Sequence, residues 1–265
     1  MDESVVTAAI QRARQIVQPF AAIEGYLGSF LTGSLMFPGA GDAQSELDIV
    51  VLIADEAAPR LQRRHQVVID RGPPRRKEAD VLFTAWSEQA HAGTTEDIRH
   101  WTAGLARVVD DPSQTVAALL ADMGHVSEPF AIDRMKLHFL ELHHCWVKER
   151  RMRERGELIN AAYMVRLGAQ AAVKTLAFLR RTWPPVPHWT VHGLRHAGVP
   201  AGVIDVVGAA LVGPADQGLE ALLDAVRGQL DAAGLTFHRE LLVLDAWWWS
   251  GDGQVIAARW GLGIM

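Results

Sequence analysis

The segment "LTGSLMFPGAGDAQSELDIVVLIAD" (residues 31–55) decides how the chain is read. An apolar run stops on Gly33-Ser34, a loop rich in Gly, Pro and Ala follows, and a β-branched run opens behind two carboxylates, Glu46 and Asp48. Successive side chains on a strand point to opposite faces, so Glu46 and Asp48 share one face and Leu47 and Ile49 the other. Two like charges at the margin of an apolar core repel each other and resist desolvation. Such a pair calls for an explanation beyond packing.

The flanking sequence builds a sheet around this segment. "YLGSFLTG" (26–33) suits a strand ending on Gly33, and "ELDIVVLIA" (46–54) a second, largely buried strand. "HQVVIDRGPPRRKEADVLFTAW" (65–86) reads as two strands about a turn, since Pro73 and Pro74 break any helix there. Apolar spacing over residues 4–18 predicts a helix ahead of the sheet. From about residue 95 the pattern becomes helical and stays so to about 232. Asp111-Pro112-Ser113 marks a stop and restart, and helices are expected at about 131–153, 157–181, 189–198 and 216–233. The expected division is a small mixed α/β domain over 1–125 and an all-helical domain from 126 to 265. The boundary falls near "GHVSEPF", and the second domain ends in a tail with a hairpin near Ser250–Gly253 beside Trp247–Trp249.

Composition limits the function classes. With 265 residues, 49% of them apolar and 22% charged, the chain has the makings of a substantial globular core. A formal net charge of −5 argues against broad nucleic-acid binding, which needs a basic surface. The lone Cys145 cannot form an internal disulfide and fits a reducing compartment. The amino-terminal stretch is unlike a signal peptide, and no apolar run approaches the roughly 20 residues of a membrane span. A cytoplasmic protein, monomeric or homodimeric and with no membrane partner, is expected.

A third acidic residue sharpens the question raised by the opening segment. "KEADVLF" (77–83) puts Asp80 at the head of another apolar strand, as Asp48 heads its own. Three carboxylates on adjacent strands suit magnesium, which prefers hard oxygen ligands and keeps positions open for phosphate oxygens. The Gly33-Ser34 turn offers backbone N–H groups and a hydroxyl to the same phosphates. Such parts together fit displacement of pyrophosphate from a nucleoside triphosphate.

This combination resembles the nucleotidyltransferase superfamily, which includes the aminoglycoside and lincosamide enzymes. The likeness rests on the Gly-Ser turn, the acidic-x-acidic strand start about a dozen residues later and the single acidic residue on a later strand. It extends to "HWTAGLARVVDDPSQTVAALL" and to "RGELINAAYMVRLGAQAAVKTLAFLRRTWPPVPHWTVHGL", and covers roughly residues 15–200. It implies an α+β protein, with a mixed-sheet nucleotidyltransferase domain and a helical bundle closing the acceptor site. Glu46, Asp48 and Asp80 would hold magnesium, two ions being expected, and Gly33 and Ser34 the triphosphate of ATP. AMP would pass to a hydroxyl of a small molecule, such as an antibiotic or biosynthetic intermediate. One departure stands out: the family usually has aspartate where this chain has Glu46, whose extra methylene moves its oxygens by about a bond length. A catalytically impaired nucleotide-binding protein and a toxin–antitoxin-type transferase acting on protein or RNA are the alternatives.

Other residues compete for roles. Transfer to a hydroxyl needs a general base, and Glu157 at the head of the 157–181 helix is the first choice, ahead of Glu141 and Glu149. An acidic residue there also complements the positive end of a helix. Lys174 and Arg166, farther along that helix, read as surface or interdomain residues or as contacts for the triphosphate. The histidines and Cys145 of "HFLELHHCW" are spaced poorly for zinc, and His188, His192 and His196 lack a companion ligand, so both groups read as packing or solvated faces. The basic stretch Arg63, Arg64, Arg71, Arg75, Arg76 and Lys77 reads as a solvated hairpin or an anion contact.

Overall fold

The computed structural model of the protein describes residues 3–37, 45–70, 76–90, 98–213 and 218–240. The chain divides into two compact units, Met1–His125 and Val126–Met265. The protein is α+β: a mixed five-stranded sheet lies near the amino terminus and a helical region follows.

In the first unit, helix α1 (Glu3–Val17) precedes strands β1 (Tyr26–Thr32), β2 (Leu47–Ile53), β3 (His65–Asp70) and β4 (Arg76–Ala85). Helices α2 (Trp86–Ala90) and α3 (Ile98–Ala103), strand β5 (Arg107–Asp110) and helix α4 (Thr115–Gly124) complete it. The strand order is β3-β4-β2-β1-β5. β2 runs parallel to β4, while the pairs β1–β2, β1–β5 and β3–β4 are antiparallel.

β2 is central and covered on both faces, which is why it reads as a continuous apolar run rather than an alternating one. Ala9, Ala13 and Val17 of α1 pack with Leu31, Ile49, Val51 and Val81 on one face. On the other, Val116, Leu119, Leu120 and Met123 of α4 pack with Phe30, Val50 and Leu52. Full burial of a large apolar side chain is worth about 1.5–3 kcal/mol. The apolar residues of β2 therefore outweigh the cost of a desolvated carboxylate near its head.

The second unit holds α5 (Glu128–Glu154), α6 (Leu158–Leu179), α7 (Thr190–His196), α8 (Ala201–Val212) and α9 (Glu220–Ala232). The turn between α5 and α6 closes on Gly156 at φ +75. Gly156 donates its N–H to the Arg153 carbonyl, and Glu157 donates to that of Met152, the paired bonds of a glycine helix stop. Among the described residues, no helix is long and apolar enough to cross a membrane.

Three expectations need correction. The helical pattern from residue 95 is interrupted by β5, which pairs with β1 through Ser29, Phe30 and Leu31; four residues carry too little periodicity to reveal a strand. α8 fills 201–212, where only a break and then a helix from 216 were expected. Its sequence "AGVIDVVGAALV" is apolar nearly throughout and shows no amphipathic stripe. Asp80 does not head its strand, because β4 begins four residues earlier, at Arg76. The tail with Trp247–Trp249, its expected hairpin, Arg71 and Arg75 lie outside the described residues.

Candidate metal and phosphate site

The parallel pairing of β2 and β4 is in register, and Asp48 stands directly opposite Asp80. On its other side Asp48 is paired with Thr32 of β1. Glu46 lies one residue before β2, on the Asp48 face as strand alternation requires. One carboxylate oxygen from each of Glu46, Asp48 and Asp80 lies within 4.8 Å of the others, and all three residues are part-buried. Among the described residues this is the only group of three or more acidic, histidine or cysteine side chains so placed. An all-oxygen donor set carrying three negative charges suits a hard divalent cation.

Gly33 shapes the floor of this cluster. Its φ is +78, and a Cβ built there would overlap Oδ2 of Asp48. Only glycine lets the chain turn here with the Asp48 carboxylate lying against its backbone. Ser34–Met36 then forms a single 3₁₀ turn, with Met36 donating to the Gly33 carbonyl at 3.0 Å and Phe37 to that of Ser34 at 3.1 Å. Ser34 is part-buried at the head of that turn. Thr32 Oγ1 is buried without a hydrogen-bond partner among the described residues. An orphaned hydroxyl beside Asp48 is the kind of polar atom that a bound ligand or water satisfies.

The two aspartates are treated differently. Burial, and then the charge of Asp80, pushes the Asp48 carboxyl up to about 6. Asp80 is held below the usual carboxylate range, chiefly by the hydrogen bond from Lys77 and further by His65. Lys77 Nζ lies 2.8 Å from Asp80 Oδ2 and 2.6 Å from Glu46 Oε1. His65 Nε2 lies 3.1 Å from Asp80 Oδ1. Lys77 was legible only as part of a basic stretch and His65 had no signal at all, since a spacing of three on a regular strand would turn Lys77 away from Asp80 and His65 reaches Asp80 from the neighbouring β3.

The remaining candidates are in the helical unit. Glu157 precedes α6, is exposed, and accepts a hydrogen bond from Asn160 Nδ2 at 2.8 Å. Lys174 lies part-buried on α6. Arg166 donates to the carbonyls of Ala210 and Gly213, so it fastens α6 to the end of α8. Glu141 pairs with the fully buried His138, which stacks on Phe178, and Glu149 is buried against Arg153. Burial raises the Cys145 thiol to about 11, leaving it a packing residue.

No family model matches the chain, and no curated protein is significantly similar to it. Among solved structures, the chain is similar to a nucleotidyltransferase-like protein from Exiguobacterium sibiricum. The two share 14% identity over 84% of this chain and 73% of that one, with a TM-score of 0.47.

Proposed function

We propose that the protein is a magnesium-dependent nucleotidyltransferase that moves a nucleoside monophosphate, AMP from ATP, onto a hydroxyl of a small molecule. The observation that carries the reading is the in-register pairing of Asp48 with Asp80, joined by Glu46 and floored by the Gly33 turn. Glu46, Asp48 and Asp80 would hold the metal. Divalent ions bound there supply positive charge to the attacking and leaving oxygens of a phosphoryl displacement.

The chain's own residues do the rest. Ser34 and the backbone at Gly33 orient the β- and γ-phosphates, with Lys174 as a further phosphate contact. The acceptor oxygen attacks the α-phosphorus, a new O–P bond forms, the bond to the bridging oxygen breaks, and pyrophosphate leaves. Glu157 takes the hydroxyl proton. General-base contributions are about 10²–10⁴-fold, so Glu157→Gln should lower turnover by that order and leave nucleotide binding near wild type. Unchanged turnover would move the role to Glu141, since Glu149 is buried against Arg153.

The activity is tested by incubating the protein with ATP, magnesium and a panel of hydroxylated metabolites and antibiotics. Pyrophosphate release and an acceptor heavier by one AMP are the expected result. No release with any acceptor, from protein that binds ATP, would favour an impaired nucleotide-binding protein.

A further inference from the structure

The pairing of β4 with β3 contains an irregularity that bears on the acidic cluster. Val68 pairs with Ala79 and Ile69 with Lys77, so Glu78 stands opposite no residue of β3. In a regular strand, residues three apart point to opposite faces. An extra residue resets the alternation. Glu78 and Ala79 accordingly both serve the α1 face. Arg12 of α1 grips the Glu78 carboxylate through two nitrogens, at 2.5 and 3.0 Å, and Ala79 is buried in the core beneath α1. Lys77 and Asp80, one on each side of the bulge, are thereby brought to the same face.

The consequence is a cation within the cluster. Lys77 Nζ bridges Glu46 Oε1 and Asp80 Oδ2, while His65 Nε2 occupies the other Asp80 oxygen. Among the described residues, neither Lys77 nor His65 pairs with Asp48. The cluster is thus divided into an Asp48 side and a Glu46–Asp80 side that already holds a positive charge.

We propose that Lys77 is a tethered counter-cation, placed by the Glu78 bulge, that a divalent ion must displace from Glu46 and Asp80 to bind all three carboxylates. This rests on the reading of the cluster as a metal site. Lys77 keeps the mutually repelling carboxylates of Glu46 and Asp80 together when no ion is bound. It also weakens the site for metal, since the ion must compete with the ammonium for two of its three ligands.

The test is Mn²⁺ binding to the purified full-length chain, followed by electron paramagnetic resonance without nucleotide, with circular dichroism as the check of fold. Lys77→Met should tighten Mn²⁺ binding by about tenfold or more, since it removes a positive charge from a few ångströms away. Lys77→Arg should stay close to wild type. Equal affinity in wild type and Lys77→Met, or Lys77→Arg tightening as much as Lys77→Met, would overturn the proposal. Asp48→Ala separates the two readings. If its Mn²⁺ signal is lost while Lys77→Met binds like wild type, the metal site stands and only the role of Lys77 falls. Absence of saturable Mn²⁺ binding in wild type and Lys77→Met alike would sink the metal site and this proposal together.

Discussion

Asp48, near the head of β2, and Asp80, midway along β4, offer a controlled contrast. Asp48 and Asp80 occupy paired positions on neighbouring parallel strands, yet one carboxyl is pushed up to about 6 and the other held below the usual range. Asp48 lies against the Gly33 turn between two neighbouring strands, where burial disfavours its charge. Asp80 lies where the bulge in its own strand brings Lys77 round and β3 supplies His65. The backbone register guarantees only that the two aspartates meet. Their ionisation is decided by the surroundings of each, so the pair combines one anion already neutralised with one that lacks a matching cation.

The largest expected effect comes from deleting the Asp48 half. Asp48→Ala should lower pyrophosphate release at least about a thousandfold, roughly 4 kcal/mol in transition-state terms. The fold should survive, because the substitution removes a desolvated charge that opposes folding at neutral pH. Activity near wild type would defeat the proposed function.

Gly33→Ala attacks the same half through its floor. A Cβ at φ +78 overlaps the Asp48 carboxylate, so the turn or the carboxylate must move. Backbone strain of this kind costs about 1–3 kcal/mol. Urea unfolding should show that loss, and Mn²⁺ binding should weaken as well. Unaltered stability and affinity would mean that the turn yields freely and does not position Asp48.

The contrast also predicts opposite pH slopes in metal-free protein. The folded state binds the Asp48 proton more tightly than the unfolded chain does. The stability this brings is complete below the ordinary value of 3.8 and is lost as pH rises through about 6. A shift of this size corresponds to about 1–3 kcal/mol. For Asp80 the sign reverses: its stabilising contribution is present above the ordinary carboxylate range and is lost as pH falls below it. Urea titrations from about pH 3.5 to 7.5 in EDTA should show the descending component vanish in Asp48→Asn and the ascending one in Asp80→Asn. Identical pH profiles for the two variants would contradict the asymmetry.

The smallest effect is expected at Glu46, the third ligand candidate. Glu46→Asp shortens the side chain by one methylene and should keep turnover within about tenfold, roughly 1.4 kcal/mol. A large gain would identify the native residue as a handicap. Complete loss would show that the site is shaped around the longer side chain.

The sequence by itself determined that a sheet forms around Leu31–Asp55 and that Glu46 and Asp48 share a face. Strand alternation, the apolar run of β2 and the Pro73-Pro74 break are local signals, readable without any partner. It also marked the helical character of the carboxyl-terminal half and the break between the 131–153 and 157–181 helices, because helical spacing and helix-end signals act within a few residues. Only the tertiary structure decided that Asp80 stands beside Asp48, since register between β2 and β4 is set by packing across some thirty residues of intervening chain. The same holds for β5, whose four residues become a strand by pairing with β1, and for Lys77. Its place among the carboxylates depends on a single extra residue opposite β3, with Arg12 of α1 holding Glu78 on the other face. A bulge leaves no mark in composition or periodicity, because it exists only as a mismatch between two strands.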